Sequence, residues 1–188
     1  MTEEELFEQA REVNFAYKAP VADVQVSVFD GEWQIWDYGD APKKCGGDQY
    51  KYAMTRTTPE GWRLDSTPLE LAEDVAAWLD ENGWSDIKTR GYSGEIADVV
   101  VEAEYPEKYV DLLIVDISPG EVFDAVTVSA TSMCQPGSWR ELVREQVPGF
   151  ADNDPIELHD DRKAEQPTAP LSFGFNDDGT PRFWDDGE

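Results

Sequence analysis

The sequence predicts an α+β domain in which one main helix packs on an antiparallel sheet, with a short N-terminal helix and a short helix after the last strand. Three observations lead to this prediction. A capped helix covers residues 67–82, alternating apolar runs follow it, and turn residues separate those runs. Cys45 and Cys134, the only cysteines of the chain, lie at the two ends of this unit.

The main helix has clear start and stop signals. Thr67, Pro68 and Glu70 provide an N-cap, a proline at the first helical position and the glutamate of a capping box. Asn82-Gly83 ends the helix, because glycine adopts the left-handed conformation that a helix C-terminus favours. The apolar stripe that we expect to face the sheet consists of Leu71, Val75, Trp78 and Leu79.

Alternating side chains predict the strands of the sheet. The predicted strands cover residues 49–55, 84–90, 96–105, 109–117 and 122–132. A glycine-containing turn at residues 91–94 follows the first strand after the helix. Pro106, and then Pro119 with Gly120, separate the last three strands from one another.

The N-terminal region is predicted to form a short helix and then a hairpin. The helix is expected to end before Pro20, and its apolar stripe consists of Leu6, Ala10, Val13 and Tyr17. Asp30-Gly31 suits a two-residue type I′ turn between two strands. The apolar residues that would share one face of this hairpin are Val24, Val26, Val28, Trp33 and Ile35. A longer loop is the alternative to the hairpin.

The C-terminal part of the chain divides at about residue 150. Ser138 and Glu141 form a second capping box, which opens a short helix that buries Leu142 and Val143 and stops at Pro148-Gly149. Residues 1–150 are therefore predicted to form a single α+β domain, and residues 151–188 an acidic, proline-containing tail.

The tail carries 11 acidic and 3 basic residues, a composition that favours an extended or disordered chain. Residues 176–179 nevertheless suit a hairpin turn between two aromatic arms. The rings of these arms, which we expect to pack on the domain or on a partner, belong to Phe173, Phe175, Phe183 and Trp184.

Cys45 and Cys134 are predicted to form a disulfide. Both lie in polar, turn-like settings, and antiparallel pairing of the first and last strands of the unit would bring the thiols together. The bond would close a loop of about 90 residues, which stabilises the fold by about 4 to 5 kcal/mol in the chain-entropy model. Two separate buried thiols are the alternative. A zinc site is disfavoured, because two cysteines without further ligands do not complete a tetrahedron.

The charge of the chain restricts its partners. The 188 residues include 41 acidic and 15 basic ones, which gives a formal net charge of −26. Such a surface disfavours nucleic acid and anionic membranes, and it favours cationic partners, bound cations or high-salt surroundings. No apolar run approaches the 18 residues of a transmembrane helix.

The predicted compartment depends on the disulfide. The residues that follow Met1 lack the basic and apolar regions of a signal peptide, which taken alone indicates the cytoplasm. A disulfide indicates an oxidising compartment instead. We expect an extracytoplasmic protein, in the cell envelope or secreted, whose export segment would precede Met1.

Residues suited to catalysis or metal binding are few, so no catalytic, cofactor or metal site is predicted. The single histidine, His159, lies in the acidic tail and is expected to be solvated. The common nucleophile and phosphate-binding motifs are absent from the sequence. A carboxylate-pair hydrolase is the enzymatic alternative, although 41 acidic residues would place some pair in a cleft by chance. Residues 152–154 and 176–179 contain calcium-type ligands, but both lack EF-hand spacing and indicate turns.

The layout of the central unit is similar to that of a known group of proteins. Cys45-Gly46-Gly47, the strand with Tyr50 and Tyr52, the end of the capped helix at residues 81–84 and the closing Cys134 together resemble small actinobacterial exported lipoproteins, loosely LppA-like. The resemblance covers about residues 45–136 and includes no catalytic motif. It implies a protein held outside the membrane by a lipid on an N-terminal cysteine, without an assigned activity.

Two classes of function are consistent with these features. The first is a non-enzymatic extracytoplasmic binding module of the cell envelope, which holds an unknown protein or envelope ligand through aromatic and acidic surface. The second is an acidic inhibitor or immunity protein that binds a basic protein or mimics nucleic acid. Adaptation to high salt would explain the charge without any partner.

Overall fold

The computed structural model describes residues 1–92, 98–146 and 164–168, with only the backbone of residues 145 and 146. The helices in this part of the chain are α1 (Glu3–Val28), α2 (Pro68–Glu81), a short 3₁₀ helix (Pro106–Lys108) and α3 (Trp139–Gln146). The strands are β1 (Trp33–Tyr38), β2 (Lys43–Lys44), β3 (Gln49–Lys51), β4 (Ala53–Thr57), β5 (Ser85–Gly91), β6 (Val99–Tyr105), β7 (Val110–Ser118), β8 (Ala125–Ser132), β9 (Gln135–Pro136) and β10 (Ala164–Glu165). The α+β prediction is confirmed.

The strands form two antiparallel sheets. The main sheet has seven strands in the order β10-β1-β4-β8-β7-β6-β5, and a small sheet has the order β2-β3-β9. Helices α1 and α2 pack against each other and against the main sheet, with α1 over β8 and α2 over β5 and β6. In β8, buried and half-buried residues alternate, which is the pattern of a sheet with one face covered by helices.

Helix α2 has the predicted limits and caps. The Thr67 Oγ1 accepts a hydrogen bond from the Glu70 amide at 3.2 Å, and the Glu70 Oε2 accepts one from the Thr67 amide at 2.9 Å. Val75 and Leu79 are buried as predicted, whereas Leu71 is only half-buried. Ala72 occupies the buried position next to Leu71, so the inward stripe of α2 is rotated by one residue at its start.

The N-terminal predictions were wrong at two points. Helix α1 does not end before Pro20 but continues to Val28, for a total length of 26 residues. Residues 24–28 are therefore helical rather than the first strand of a hairpin. The physical reason is that Tyr17, Val21, Val24 and Val28 repeat at spacings of 4, 3 and 4. This repeat continues the stripe of the first half of the helix. Three valines at every second position indicate a strand, but Val24 and Val28 are also four positions apart and share one face of a helix, with Val26 exposed on the other side. Packing against the sheet favours the helix.

The strand predicted over residues 49–55 is divided between the two sheets. Tyr52 lies between β3 in the small sheet and β4 in the main sheet, and its ring is fully buried. The four strands predicted after α2 are confirmed as β5, β6, β7 and β8, although residues 93–97 lie outside the described part of the chain. A single alternating run cannot reveal where a chain passes from one sheet to another.

Cys45 and Cys134 form the predicted disulfide, with their Cα atoms 5.8 Å apart. The predicted antiparallel pairing of the first and last strands is also present, because β4, which contains the second half of the first predicted strand, pairs with β8. Nearer the cysteines, β3 pairs antiparallel with β9 and places Tyr50 opposite Gln135. The bond therefore joins two segments that the small sheet already brings together.

Helix α3 begins after Ser138, whose Oγ accepts a hydrogen bond from the Glu141 amide at 3.4 Å, which is the serine half of the predicted capping box. Leu142 and Val143 are completely buried, as predicted. The end predicted for this helix at Pro148 and Gly149 lies outside the described residues. No helix within the described ranges is long and apolar enough to cross a membrane.

One short piece of the predicted tail belongs to the folded body. Ala164 and Glu165 form the edge strand β10, which pairs with Gln34 and Trp33 of β1, and Pro167 is buried. The boundary at residue 150 stays a prediction. His159 and the aromatic turn predicted at residues 173–184 lie outside the described residues.

Candidate binding groove

A groove of about 340 Å³ opens to solvent where α1 and α2 meet the end of β6. We call it the α1–α2 groove. Its lining residues are Ala16, Ala19, Pro20, Asp23, Trp78, Asn82, Trp84, Tyr105 and Lys108. Pockets that bind small ligands typically have volumes of about 300 to 1,000 Å³, so this groove matches the lower end of that range.

Small side chains on α1 leave the space that forms the groove. Helix α1 contributes Ala16, Ala19 and Pro20, whereas α2 contributes the much larger Trp78. Pro20 lies inside α1 and has no N–H group, so it cannot donate the usual helical hydrogen bond to the carbonyl of Ala16. The proline thus leaves a carbonyl without its standard helical donor at a residue that lines the groove.

Three aromatic residues form the walls of the groove. The rings of Trp84 and Tyr105 lie with their centroids 5.1 Å apart at an interplanar angle of 50°, and Trp84 is 5% exposed. The Trp84 amide donates to the Leu79 carbonyl at 3.0 Å, which fixes the chain as it leaves α2. Gly83 has a φ of +82° and provides the turn that brings Trp84 back against the helix. Trp78, half-buried on α2, completes the walls.

The rim of the groove carries more acceptors than cations. Asp23 on α1 is exposed and provides a carboxylate. The Asn82 Nδ2 donates to the Trp78 carbonyl at 2.8 Å, so the carbonyl oxygen of the Asn82 side chain is the end that can accept from a ligand. Of the described residues that line the groove, Lys108 carries a positive charge.

The backbone of α2 adds to the negative character of the groove. Trp78 and Asn82 lie at the C-terminal end of α2, where the helix dipole places partial negative charge. The last turn contains Asp80 and Glu81 and has no basic residue to offset this charge. A positively charged group in the groove would therefore be stabilised.

A buried ion pair lies beneath α1, away from solvent. Lys18 on α1 binds the carboxylate of Asp40, and both side chains are completely buried. Burial raises the pKa of Asp40 to about 6, and it lowers the pKa of Lys18 to about 8, because each charged form loses its hydration. The attraction between the two charges opposes both shifts. Because neither side chain reaches solvent, the pair has a structural role and does not contact a ligand.

Two hydrogen bonds between uncharged groups fix the backbone next to Asp40. The Tyr17 hydroxyl and the Asn14 Nδ2 both donate to the carbonyl of Gly39, at 2.7 and 2.9 Å. Burial raises the pKa of Tyr17 well above its ordinary range, so the hydroxyl remains a donor. Gly39 has a φ of +83°, and a Cβ at this position would lie 2.2 Å from the Tyr17 hydroxyl oxygen, so only glycine fits.

A second buried ion pair joins Arg56 of β4 to Glu165 of β10. The Arg56 Nε donates to the Glu165 Oε1 at 2.5 Å, and the other guanidinium nitrogens donate to the carbonyls of Asp37, Tyr38 and Thr55. This pair is also shielded from solvent. It fixes the edge of the sheet rather than forming an accessible site.

A second cleft, of about 460 Å³, lies on the opposite edge of the main sheet from β5. It is lined by Glu32, Gln34, Ile35, Trp36, Pro59 and Ala164. Trp36 is 73% exposed. This cleft has one aromatic ring where the α1–α2 groove has three, and the register of β1 is irregular beside Trp36.

The site residues predicted from the sequence were Cys45 and Cys134, and the structure shows them joined in a disulfide. Within the described ranges, no three His, Cys, Asp or Glu side chains come together in a way that could hold a metal ion. The acidic segments at residues 152–154 and 176–179 lie outside those ranges. The α1–α2 groove was not predicted from the sequence, because the predicted N-terminal helix ended before Pro20 and left Pro20 and Asp23 outside it. The continued 4, 3, 4 spacing of the apolar stripe was the signal that could have placed them there.

Comparison with protein families, curated proteins and solved structures finds no match to this chain, so the geometry and chemistry of its own residues are the basis for a function.

Proposed function

We propose that this chain is a non-enzymatic binding module of the cell envelope, and that the α1–α2 groove holds its ligand. The observation that carries the proposal is the groove itself, in which three aromatic residues stand beside the exposed carboxylate of Asp23. Ligand sites typically combine apolar and aromatic walls with a few polar groups that orient the ligand. The two buried ion pairs cannot contact a ligand, and the second cleft has one aromatic ring where the α1–α2 groove has three. The α1–α2 groove is therefore the better candidate for a ligand site.

The extracytoplasmic location is part of the same proposal. The Cys45–Cys134 disulfide is consistent with an oxidising compartment. The layout of residues 45–136 resembles exported lipoproteins, which implies a lipid anchor that would precede Met1. Cell fractionation of the source organism tests the location, since the protein should be found in the envelope or secreted fraction with Cys45 and Cys134 oxidised. Recovery in the cytoplasmic fraction with two free thiols would contradict it.

The binding role is tested by capture from a solubilised envelope fraction on immobilised protein. The wild-type chain should retain a defined component, and Trp78→Leu should lose most of it because Trp78 forms a wall of the groove. Trp36→Leu is the matched control, since Trp36 is an exposed tryptophan in the other cleft. Equal capture by all three proteins would show that the groove is not the site.

An acidic inhibitor that neutralises a basic protein is the second candidate, and the net charge of −26 favours it. Binding through surface charge alone would fall steeply as salt rises, and it would change little in Trp78→Leu. Binding in the groove would depend strongly on Trp78 and less on salt. Titration of one captured partner at two salt concentrations, with both proteins, separates these functions.

A further inference from the structure

We propose that the α1–α2 groove binds a positively charged side chain, specifically an arginine presented by a cationic polypeptide. This inference rests on the proposed function of the groove and names its ligand. The aromatic walls give the first reason. Cations are attracted to the faces of tryptophan and tyrosine rings, and arginine also stacks on such rings. Trp78 and Tyr105, both half-buried, offer such rings within one groove of about 340 Å³, and the nearly buried Trp84 packs behind Tyr105.

The polar groups of the groove give the second reason, because they accept hydrogen bonds. The Asp23 carboxylate is an acceptor, and the amide of Asn82 is oriented by its bond to the Trp78 carbonyl so that its oxygen can accept. Pro20 cannot donate the standard helical hydrogen bond to the Ala16 carbonyl. A guanidinium group has five N–H donors and no acceptor, which complements a set of acceptors.

The third reason is electrostatic and has a local and a global part. Locally, the groove lies at the C-terminal end of α2, whose last turn contains no basic residue. Globally, the chain has a formal charge of −26, which raises the local concentration of cationic polypeptides and speeds their association. A neutral saccharide or an anionic ligand would gain nothing from either contribution.

Lys108 also lines the groove and opposes a cationic ligand. It therefore provides a test with a distinctive sign. Removing its charge by Lys108→Gln should strengthen the binding of a cation, whereas the same substitution should weaken the binding of an anionic ligand or of a saccharide hydrogen-bonded to the lysine.

The experiment uses the full chain with its disulfide intact and isothermal titration calorimetry at two salt concentrations. The probe is an acetylated, amidated hexa-arginine peptide, and its control is the hexa-citrulline peptide, which has nearly the same shape without the charge. We expect the arginine peptide to bind at least about tenfold more tightly than the citrulline peptide. Trp78→Leu should weaken its binding about tenfold, and Lys108→Gln should strengthen it.

Asp23→Asn separates the contribution of the carboxylate in the groove to binding from the contribution of the overall net charge. Its matched control is Asp111→Asn, because Asp111 is an exposed aspartate on β7 that does not line the groove. We expect Asp23→Asn to weaken the binding of the arginine peptide several-fold more than Asp111→Asn does. Both are surface substitutions that should leave the far-UV circular dichroism spectrum unchanged.

Three results would overturn the inference. No binding of the arginine peptide, equal binding of both peptides, or equal effects of Asp23→Asn and Asp111→Asn would each exclude recognition of the cation by the groove. If a neutral saccharide or the citrulline peptide then binds in a Trp78-dependent way, the proposed function stands and only the ligand class is wrong. If Trp78→Leu affects neither these probes nor capture from the envelope fraction, the proposed function also fails.

Discussion

Arg56 and Glu165 are 109 positions apart in the chain and form a buried ion pair that ties the C-terminal segment to the centre of the main sheet. Arg56 is fully buried, and the Glu165 side chain is 7% exposed. Glu165 is the carboxylate that accepts a hydrogen bond from this buried guanidinium, and the charge of Asp40 also interacts with it. Part of the acidic tail is thus a structural element.

Glu165→Ala should destabilise the protein because it removes the carboxylate that accepts a hydrogen bond from the buried Arg56. Removal of one partner of a buried ion pair typically costs about 3 to 5 kcal/mol. We expect a value near about 3 kcal/mol, since carbonyl groups of β1 and β4 still accept from Arg56. Urea denaturation measures the change, with the exposed Glu60→Ala as control. A loss below about 1 kcal/mol would mean that the pair contributes little.

The Lys18–Asp40 pair should produce a stability minimum between about pH 6 and 8. The pKa of Asp40 is raised from 3.8 to about 6, so between these values the folded state binds the extra proton and the free energy of unfolding falls as pH rises. The pKa of Lys18 is lowered from 10.5 to about 8, so between these values the unfolded state binds the extra proton and the free energy of unfolding rises with pH.

The double variant Lys18→Met/Asp40→Asn removes both titrations. Subtracting its pH profile of unfolding free energy from that of the wild type should reveal the minimum. A difference that stays constant from pH 4 to pH 10 would contradict the prediction.

Leu79→Ala tests the packing of α2 on the sheet. Leu79 is completely buried, and truncation of a buried leucine to alanine typically costs about 2 to 5 kcal/mol. Leu69→Ala is the control on the same helix, because Leu69 is 53% exposed and should change stability by less than about 0.5 kcal/mol. Similar small effects at both positions in chemical denaturation would show that the inward face of α2 is wrongly assigned.

The disulfide should leave no titratable thiol in the oxidised, denatured protein. Reduction of the Cys45–Cys134 bond, which closes a loop of 89 positions, should lower the free energy of unfolding by up to about 4 kcal/mol, or less if the denatured state stays compact. The Cys45→Ala/Cys134→Ala variant should match the reduced protein. Two reactive thiols in protein prepared under oxidising conditions would be incompatible with the bond.

Elements that are determined by residues close together in the sequence could be predicted, and elements that depend on contacts between distant parts of the chain could not. Helix α2 was predictable because Thr67, Glu70 and Gly83, which determine its ends, lie in the helix or directly beside it in the sequence. Helix α1 was not, because an internal proline usually ends a helix and packing against the sheet outweighs that preference here. The division of residues 49–55 at Tyr52 likewise depends on which strands become neighbours.

The α1–α2 groove could not be predicted for the same reason. Asp23 and Trp78 belong to different helices, and their shared position depends on how α1 and α2 pack against each other. The Arg56–Glu165 pair combines one residue of a central strand with one residue of a segment whose composition indicates an extended tail. Neither juxtaposition leaves a periodic pattern in the sequence.

The edge strand β5 has a further consequence for the behaviour of the molecule in concentrated solution. Its side chains are almost all exposed, it carries Lys88 and Arg90, and its pairing with β6 shifts register between Ser85 and Lys88. Charged side chains and an irregular register hinder the addition of a strand from another molecule. The opposite edge of the main sheet is occupied by β10. We therefore expect the sheet to resist edge-to-edge self-association, which leaves the protein free to meet partners through side chains instead of through its backbone.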